Sequence, residues 1–132
     1  MNTPRFAKRF RREEGAAAVE FALILTVLVM ILFGIIEFGR AYSSLEIYVS
    51  AAREGARVAA VRGSPEEVNS RINQAVVGYP IGPGSPTLDH TCTEDTVGQP
   101  VTVSWTQAVP IQIPFLPDLS QQVSVEAVFR CE

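Results

Sequence analysis

Residues 16–36 read AAAVEFALILTVLVMILFGII, a run of 21 residues in which Glu20 is the only ionisable group. A helix of this length reaches roughly 30 Å, the thickness of the hydrocarbon core of a bilayer. The run is apolar on every side, and the rest of a 132-residue chain is too small to surround such a helix. We therefore predict that residues 16–38 form a transmembrane helix rather than the core helix of a soluble domain.

The charges next to this run predict its orientation. Five basic residues and no acid precede residue 13, namely Arg5, Lys8, Arg9, Arg11 and Arg12, whereas six arginines face fourteen acids in the rest of the chain. Basic residues beside a span stay on the cytoplasmic side. Residues 1–15 are therefore predicted to be a basic cytoplasmic leader, and the residues after Glu37 to be exported. The acidic remainder would repel phosphates, which argues against a nucleic-acid partner.

A cleaved secretory signal is the alternative to a retained anchor. Gly39-Arg40-Ala41 has the small-x-small pattern of a signal cleavage site. An acid and an arginine directly before the cut are unfavourable, and the unbroken apolar run from Phe21 to Ile36 is slightly longer than a usual signal core. These features favour the retained anchor.

Helical periodicity continues beyond the span and predicts an exported helical region over residues 39–78. An apolar stripe recurs at spacings of four and three residues and consists of Leu45, Val49, Ala52, Ala56 and Ala59. The opposite side is polar, and Arg53, Glu54 and Arg57 are expected to form a solvated face. Because the stripe is mostly alanine, it allows close packing, either on this chain's own C-terminal domain, which we expect, or on another helix.

A second, short helix is predicted after a break at Gly63. Ser64, Pro65 and Glu67 fit the N-cap, N1 and N3 positions of a capping box, and the helix is expected to reach about Val77. Residues 78–100 are rich in Gly, Pro, Thr and Asp and have no period, which indicates an irregular loop.

Residues 79–132 are predicted to form a small exported domain that contains β structure. Two segments alternate with period two, with Val101, Val103 and Trp105 on the inner face of the first and Val123, Val125, Ala127 and Phe129 on that of the second. The apolar segment between them is broken by Pro110, Pro114 and Pro117, so it cannot be a central strand. It is either a contact surface or lies against the helix. The predicted fold class is α+β: a long N-terminal helix, a short helix and a small antiparallel sheet.

The residue types that carry chemistry are sparse. Cys92 and Cys131 are 39 positions apart, and in an exported domain a disulfide is favoured over two free thiols. There is no C-x-x-C motif or Cys/His cluster, and His90 has no nucleophile or ligand spacing around it, so the sequence predicts no metal, no cofactor and no catalytic residue.

The most informative segment is Arg11 to Phe21, which reads RREEGAAAVEF. Ordinary signal peptides are cut after their apolar core, whereas here a basic leader meets Gly15 directly before the core. A protease at the cytoplasmic membrane face could remove the leader and leave the anchor in place. A carboxylate within a membrane span is costly, so Glu20 is expected either to pair with another group or to have a function there. The alternative is that Glu20 lies among the lipid headgroups and interacts favourably with the helix N-terminus. Glu37 is expected at the far interface, with Arg40 as its i, i+3 partner.

The strings GAAAVEFALI, FGIIEFGRAY and AAREGARVAA, within residues 11–62, resemble the TadE-like pseudopilins of tight adherence (Flp-type) pilus systems, which belong to the type IV pilin superfamily. The major Flp pilins usually have Tyr after the Glu, so Phe21 fits the TadE-like proteins better. The resemblance implies that a prepilin peptidase cuts between Gly15 and Ala16, which makes Glu20 the fifth residue of the mature chain. It also implies that Glu20 is neutralised by the Ala16 amine of a neighbouring subunit during packing.

The function implied by this resemblance is that of a minor pilin or pseudopilin, without enzyme activity, that takes part in assembling a Flp-type pilus. Its partners would be the lipid bilayer, prepilin peptidase, other pilins and the Tad assembly platform. It would be located in the cytoplasmic membrane or be incorporated into the extracellular pilus. The alternative function is a membrane-anchored exported adhesin or sensor that is neither processed nor polymerised.

Overall fold

The computed structural model describes residues 6–79, 85–113, 116–117 and 119–132, with residues 6–14 described by their backbone alone. Its elements are α1 (Phe6–Ala60), α2 (Pro65–Ala75), β1 (Thr87–Leu88), a 3-10 turn (Glu94–Thr96), β2 (Pro100–Ile111) and β3 (Leu119–Arg130). The predicted α+β class is confirmed. Arg5 of the predicted leader, residues 80–84 of the predicted loop, and Pro114 lie outside the described residues.

Helix α1 is continuous for 55 residues. No proline interrupts it, and the apolar run from residue 16 to residue 36 includes four alanines and four leucines, which are good helix formers. The hydroxyl group of Thr26 donates to the carbonyl oxygen of Ala22 at 2.8 Å, so it needs no water. The helix does not break at Gly15, and residues 6–14 of the predicted leader therefore belong to the same helix as the apolar segment.

The end of α1 differs in mechanism from the prediction. Arg62, not Gly63, adopts the left-handed conformation, with φ of 66°. The Gly63 amide then donates to the carbonyl oxygen of Val58 at 3.0 Å, as in a Schellman motif. A Cβ atom at Gly63 would lie 2.7 Å from that same oxygen. Glycine is needed here for the close approach of two backbones.

The predicted capping box of α2 is confirmed. The Glu67 amide donates to the Ser64 hydroxyl group at 3.3 Å, and the Ser64 amide donates to the Glu67 carboxylate at 2.8 Å. Pro65 occupies the first turn, where its missing N–H is not needed. The helix ends at Ala75, slightly before the predicted end at about Val77.

The antiparallel sheet has the order β1-β2-β3, with Val103 opposite Ala127 and Trp105 opposite Val125. The predicted inner faces are buried except at Val123, which is half-buried, and at Phe129, which is 39% exposed because it lies near the edge of the core. The irregular loop that was predicted over residues 78–100 is wrong in part, since it contains β1 and the 3-10 turn. Two-residue strands have no detectable sequence period.

The proline-containing end of β2 lies at the edge of the sheet. Strand β1 pairs with Val103 and Ser104, so at Pro110 strand β2 has β3 as its one neighbour among the residues that the structure describes. A missing N–H is tolerated at such a position. The prediction that this segment is not a central strand is wrong in part, because residues 109–111 belong to β2, the middle strand of the sheet, although they lie beyond the stretch that β1 covers.

The core lies around the second half of α1, which packs against α2 on one side and the sheet on another. The predicted stripe is buried or half-buried, and the expectation that it packs within this chain is confirmed. The buried surface is wider than predicted because two partners cover it. Its additional members are Tyr48, Ala51, Gly55 and Ala60. We call this assembly of residues 37–132 the C-terminal domain.

Candidate functional site

The predicted processing and assembly residues lie near the beginning of α1. Gly15, Ala16 and Glu20 are all exposed, and Ala16 and Glu20 are four positions apart, so they share one face of the helix. Cys92 and Cys131 are far from them, because the residue after Cys131 bonds to the carbonyl oxygen of Ala60. Ala60 is about 65 Å along the helix from Ala16. The structure therefore separates the two sets of predicted site residues.

Packing within this chain does not require glycine at position 15. Among the described residues, a Cβ atom built at Gly15 meets no other atom within 4 Å. Glycine inside a helix costs about 1 kcal/mol relative to alanine, the residue type at the next three positions. A protease needs an extended peptide at the bond that it cuts, and a glycine lowers the cost of unwinding a helix at its position. The residue fits a cleavage site better than a structural role.

The apolar part of α1 is bare on all sides. Its most apolar 18-residue window has a mean hydropathy of 2.8, and none of that window is buried. The core helix of a soluble protein would be mostly covered, so that alternative does not fit the described residues. α1 is therefore a helix that can span a membrane near the N-terminus.

Glu37 connects the end of the apolar run to the C-terminal domain. Its Oε2 atom lies 3.4 Å from Nη1 of Arg40, which confirms the predicted i, i+3 pair. Its Oε1 atom accepts a hydrogen bond from the Gln112 amide at 3.0 Å. The Glu37 side chain is only 12% exposed. One carboxylate thus fixes the turn between β2 and β3 to the helix.

Glu54 remains partly exposed to solvent, as predicted, but its carboxylate also has a partner on α2 that the sequence did not predict. The Arg71 guanidinium on α2 donates to Glu54 Oε1 from Nε at 3.0 Å and from Nη2 at 2.6 Å. This hydrogen bond lowers the pKa of the Glu54 carboxyl group, although partial burial acts in the opposite direction. Arg53 and Arg57 are exposed as predicted. Glu54 and Arg71 are 17 positions apart in sequence, so no local sequence pattern predicts that they pair.

The other end of the domain is closed by a disulfide between Cys92 and Cys131. The Nε2 atom of His90 lies 3.9 Å from Cys131 Sγ. These three residues have the atoms of a three-ligand metal cluster, within 4.8 Å of one another. A thiolate is the form of cysteine that binds metal, and with the disulfide closed this cluster offers none.

Asp89 fixes the same loop to β2. Burial raises the pKa of its carboxyl group, but the amides of Thr102 and His90, which donate to Oδ1, lower it by more, so that the net shift is downward. The Asp89 amide also donates to the Thr102 carbonyl oxygen at 3.1 Å. These bonds continue the pairing of β1 and β2 by one residue. They hold in place a part of the loop for which no regular structure was predicted from the sequence.

The geometry defines a class of protein: a helix that can span a membrane and continues into a small disulfide-closed α+β domain. Residues 15–57 match the family model described as "TadE-like protein". The resemblance to TadE-like proteins is thereby confirmed over this segment, which begins at Gly15 and ends within the buried part of α1. It associates the chain with Tad pilus systems. No curated protein and no solved structure gives a significant match to the chain.

Two functional contacts were missed by sequence reasoning, the hydrogen bond from Gln112 to Glu37 and the ion pair between Glu54 and Arg71. The first spans 75 positions, and its donor is a backbone amide, whose partner no residue type reveals. The signal for the second was weak: both residues lie on predicted helices, so a pair was conceivable. Predicting that Glu54 pairs with Arg71 would have required the packing angle between α1 and α2, which the sequence does not give.

Proposed function

We propose that this chain is a minor pilin or pseudopilin that is processed after Gly15 and takes part in assembling a tight adherence pilus. The observation that carries the proposal is the position of Gly15. It is a glycine without a packing role, at the start of the family match and directly before the apolar part of α1, which can span a membrane.

In this proposal the leader, residues 1–15, lies in the cytoplasm and the C-terminal domain on the exported side. A prepilin peptidase removes the leader and leaves α1 as the anchor. The bare apolar surface of α1 then exchanges lipid for the helices of other pilins, because an all-round apolar helix can pack on neighbours without a change of its own fold. The continuous helix transmits that contact to the C-terminal domain.

Glu20 has the assembly role in this proposal. Cleavage gives Ala16 a positive amine, and the Ala16 and Glu20 groups lie one turn apart on the same exposed face. An offset neighbour can therefore place its amine against this Glu20 carboxylate. The attraction is strong because both charges are poorly solvated in the membrane. Pairing removes the cost of a carboxylate in the span, and assembled subunits are favoured over separate ones.

Deletion and complementation in the native host test the function. Cells that lack the chain should lose Tad pili, and the wild-type chain should restore them. The matched variant is Gly15→Leu, whose Cβ atom has open space in the folded chain and which should insert normally but not restore pili. If cells without the chain keep normal pili and lose only surface attachment, the chain is an anchored adhesin and the proposal is wrong.

A further inference from the structure

We propose that an apolar groove between α1 and the β2–β3 hairpin binds the upper part of one acyl chain of a membrane phospholipid. The groove has a volume of about 190 Å³, and its first residue on α1, Phe38, follows the apolar run by two positions. The inference rests on the membrane anchoring that is proposed above. It gives the C-terminal domain a lipid ligand of its own, in addition to the bilayer around the span.

The α1 wall of the groove continues the lipid-facing surface of the span. It consists of Phe38, Ala41, Tyr42 and Leu45, whose spacings of three, one and three residues place them on one face of the helix. Three positions before Phe38, the same face carries Ile35, which is 65% exposed. Phe38 and Tyr42 are 71% and 60% exposed, so the hairpin does not close off this wall. An acyl chain that lies along the span can therefore pass Phe38 and enter the groove.

The opposite wall comes from the inner face of the hairpin. Val109 on β2 is buried, and Ile111 on β2 and Val123 on β3 are half-buried. Gln121, which lies opposite Val109 in the sheet, is exposed. Farther along α1 the same helix face is completely covered, since Ala52 has no exposed surface. The groove is thus the end of the core at which the side chains of α1 and the hairpin do not fill the space between them.

The size of the groove fits a flexible hydrocarbon chain better than a second helix. An apolar cavity of about 150 Å³ stays dry and takes up benzene, so an apolar groove of about 190 Å³ favours hydrocarbon over water. Its α1 wall, from Phe38 to Leu45, is about 10 Å long. A helix with a diameter of about 10 Å occupies roughly 800 Å³ over that length. A second helix would therefore place no more than single side chains in the groove.

The length of the span gives lipid a reason to reach this height. Glu20 and Glu37 are 17 positions apart, which corresponds to about 26 Å of helix, whereas the hydrocarbon core is about 30 Å thick. Before assembly, with both carboxylates at the interfaces, the span is a few ångströms short. On the groove face the apolar surface continues to Leu45, about 12 Å beyond Glu37. A lipid that follows this face keeps its acyl chain covered by apolar side chains, which reduces the mismatch.

Phospholipid is favoured as the occupant because it surrounds the span whenever the chain is in a membrane. None of the described residues that line the groove is charged. The walls therefore select the hydrocarbon chain and not a particular headgroup. In the bound lipid, the acyl chain lies parallel to α1, with its ester end near Leu45 and its lower part beside the span.

Photolabelling of the full chain in phosphatidylcholine vesicles tests this contact. The lipid carries a diazirine on the upper part of one acyl chain, and the labelled residues are mapped by mass spectrometry after irradiation. We expect label at Leu45 and Val123 in the groove and at Ile35 in the span. Ser43 and Glu46 lie at the same height on the exposed side of α1 and should stay unlabelled.

Gln121→Glu should empty the groove, because a carboxylate beside an acyl chain loses its hydration. Gln122→Glu is the matched control: it adds the same charge at the next position of β3, which faces the other side of the sheet. Both side chains are exposed, so both variants are expected to fold. Gln121→Glu should lose most of the label at Leu45 and keep the label on the span, and Gln122→Glu should keep both.

Label on the span without label at Leu45 and Val123 overturns this inference and leaves the anchoring intact. Equal label at Leu45 in Gln121→Glu and Gln122→Glu overturns it as well, because the lipid would then lie outside the groove. No label on the span overturns the anchoring too. If the groove stays unlabelled and the reconstituted chain is a dimer by chemical crosslinking, a second copy covers the groove, which contradicts the inference.

Discussion

A methyl group on Gly55 of α1 would lie 2.6 Å from Cδ1 of Ile72 on α2. Real side chains do not approach this closely, and Ile72 is fully buried, so it has no room to move away. Glycine at position 55 thus sets the distance between the two helices. Helix α2 can pack this closely against α1 because Gly55 has no side chain.

Gly55→Ala is therefore expected to destabilise the domain, although alanine is the better helix former. Overpacking costs about 1–3 kcal/mol, and the gain in helix propensity is about 1 kcal/mol. Denaturation in detergent, followed by the fluorescence of the single tryptophan, Trp105, measures the difference. Gly39→Ala is the control, because a Cβ atom there meets nothing within 4 Å. Equal stability of the two variants would contradict the packing argument.

The disulfide is expected to contribute strongly to stability. It closes a loop of 39 positions between the segment after β1 and the end of β3. The chain-entropy model assigns such a loop about 4 kcal/mol. The double variant Cys92→Ala/Cys131→Ala should lose roughly this amount in the same assay. Peptide mapping without reductant should recover the two cysteines in one crosslinked fragment, and alkylation of free thiols in the membrane-extracted protein would refute the pairing.

The ion pair between Glu54 and Arg71 predicts a dependence of stability on pH. The hydrogen bond from Arg71 lowers the pKa of Glu54 from its ordinary value of 4.5 in the folded state. A depressed pKa means that folding favours the charged form. The contribution is fully present above pH 4.5 and is lost as the pH falls through the folded-state value.

Glu54→Gln should remove this part of the acid sensitivity. The stability difference between wild type and variant should shrink as the pH is lowered below about 4.5. Glu46→Gln, at an exposed position of the same helix, is the control for removing one acidic group. A difference between wild type and Glu54→Gln that stays constant with pH would show that the pair does not form.

Glu20→Gln separates assembly from insertion. The substitution keeps the size of the side chain and removes its charge, so insertion should become easier, since a charge in a span costs up to about 3 kcal/mol. The attraction to a neighbour's Ala16 amine is lost. We expect normal amounts of processed protein in the membrane and few or no pili, counted by electron microscopy. Normal piliation in these cells would exclude the proposed role of Glu20.

The sequence predicted the elements with strong local signals. The apolar run, the capping box at Ser64 and the alternation around Trp105 each depend on neighbours within a few positions, and each was recognised. The end of α1 was predicted near Gly63 with the wrong mechanism, because the left-handed residue is Arg62. Local rules favour glycine for that conformation and do not include the carbonyl group of Val58.

Contacts between distant segments were not predictable in the same way. The width of the buried face, including Tyr48 and Gly55, follows from α1 having partners on two sides. The bonds of Glu37 and Glu54 depend on where β2 and α2 come to lie. Gly15 and Glu20, in contrast, were predicted as site residues from the sequence alone. The structure adds that packing within this chain requires neither of them.

The mature N-terminus tests the central claim most directly. Intact mass and N-terminal sequencing of the membrane-extracted protein from piliated native cells should show a chain that begins at Ala16, with 117 of the 132 residues remaining after loss of the leader. The Gly15→Leu chain should keep its full length in the same membranes. A wild-type chain from piliated cells that retains the residues before Ala16, or that begins after Ala41 as a cleaved secretory signal would leave it, would contradict the account.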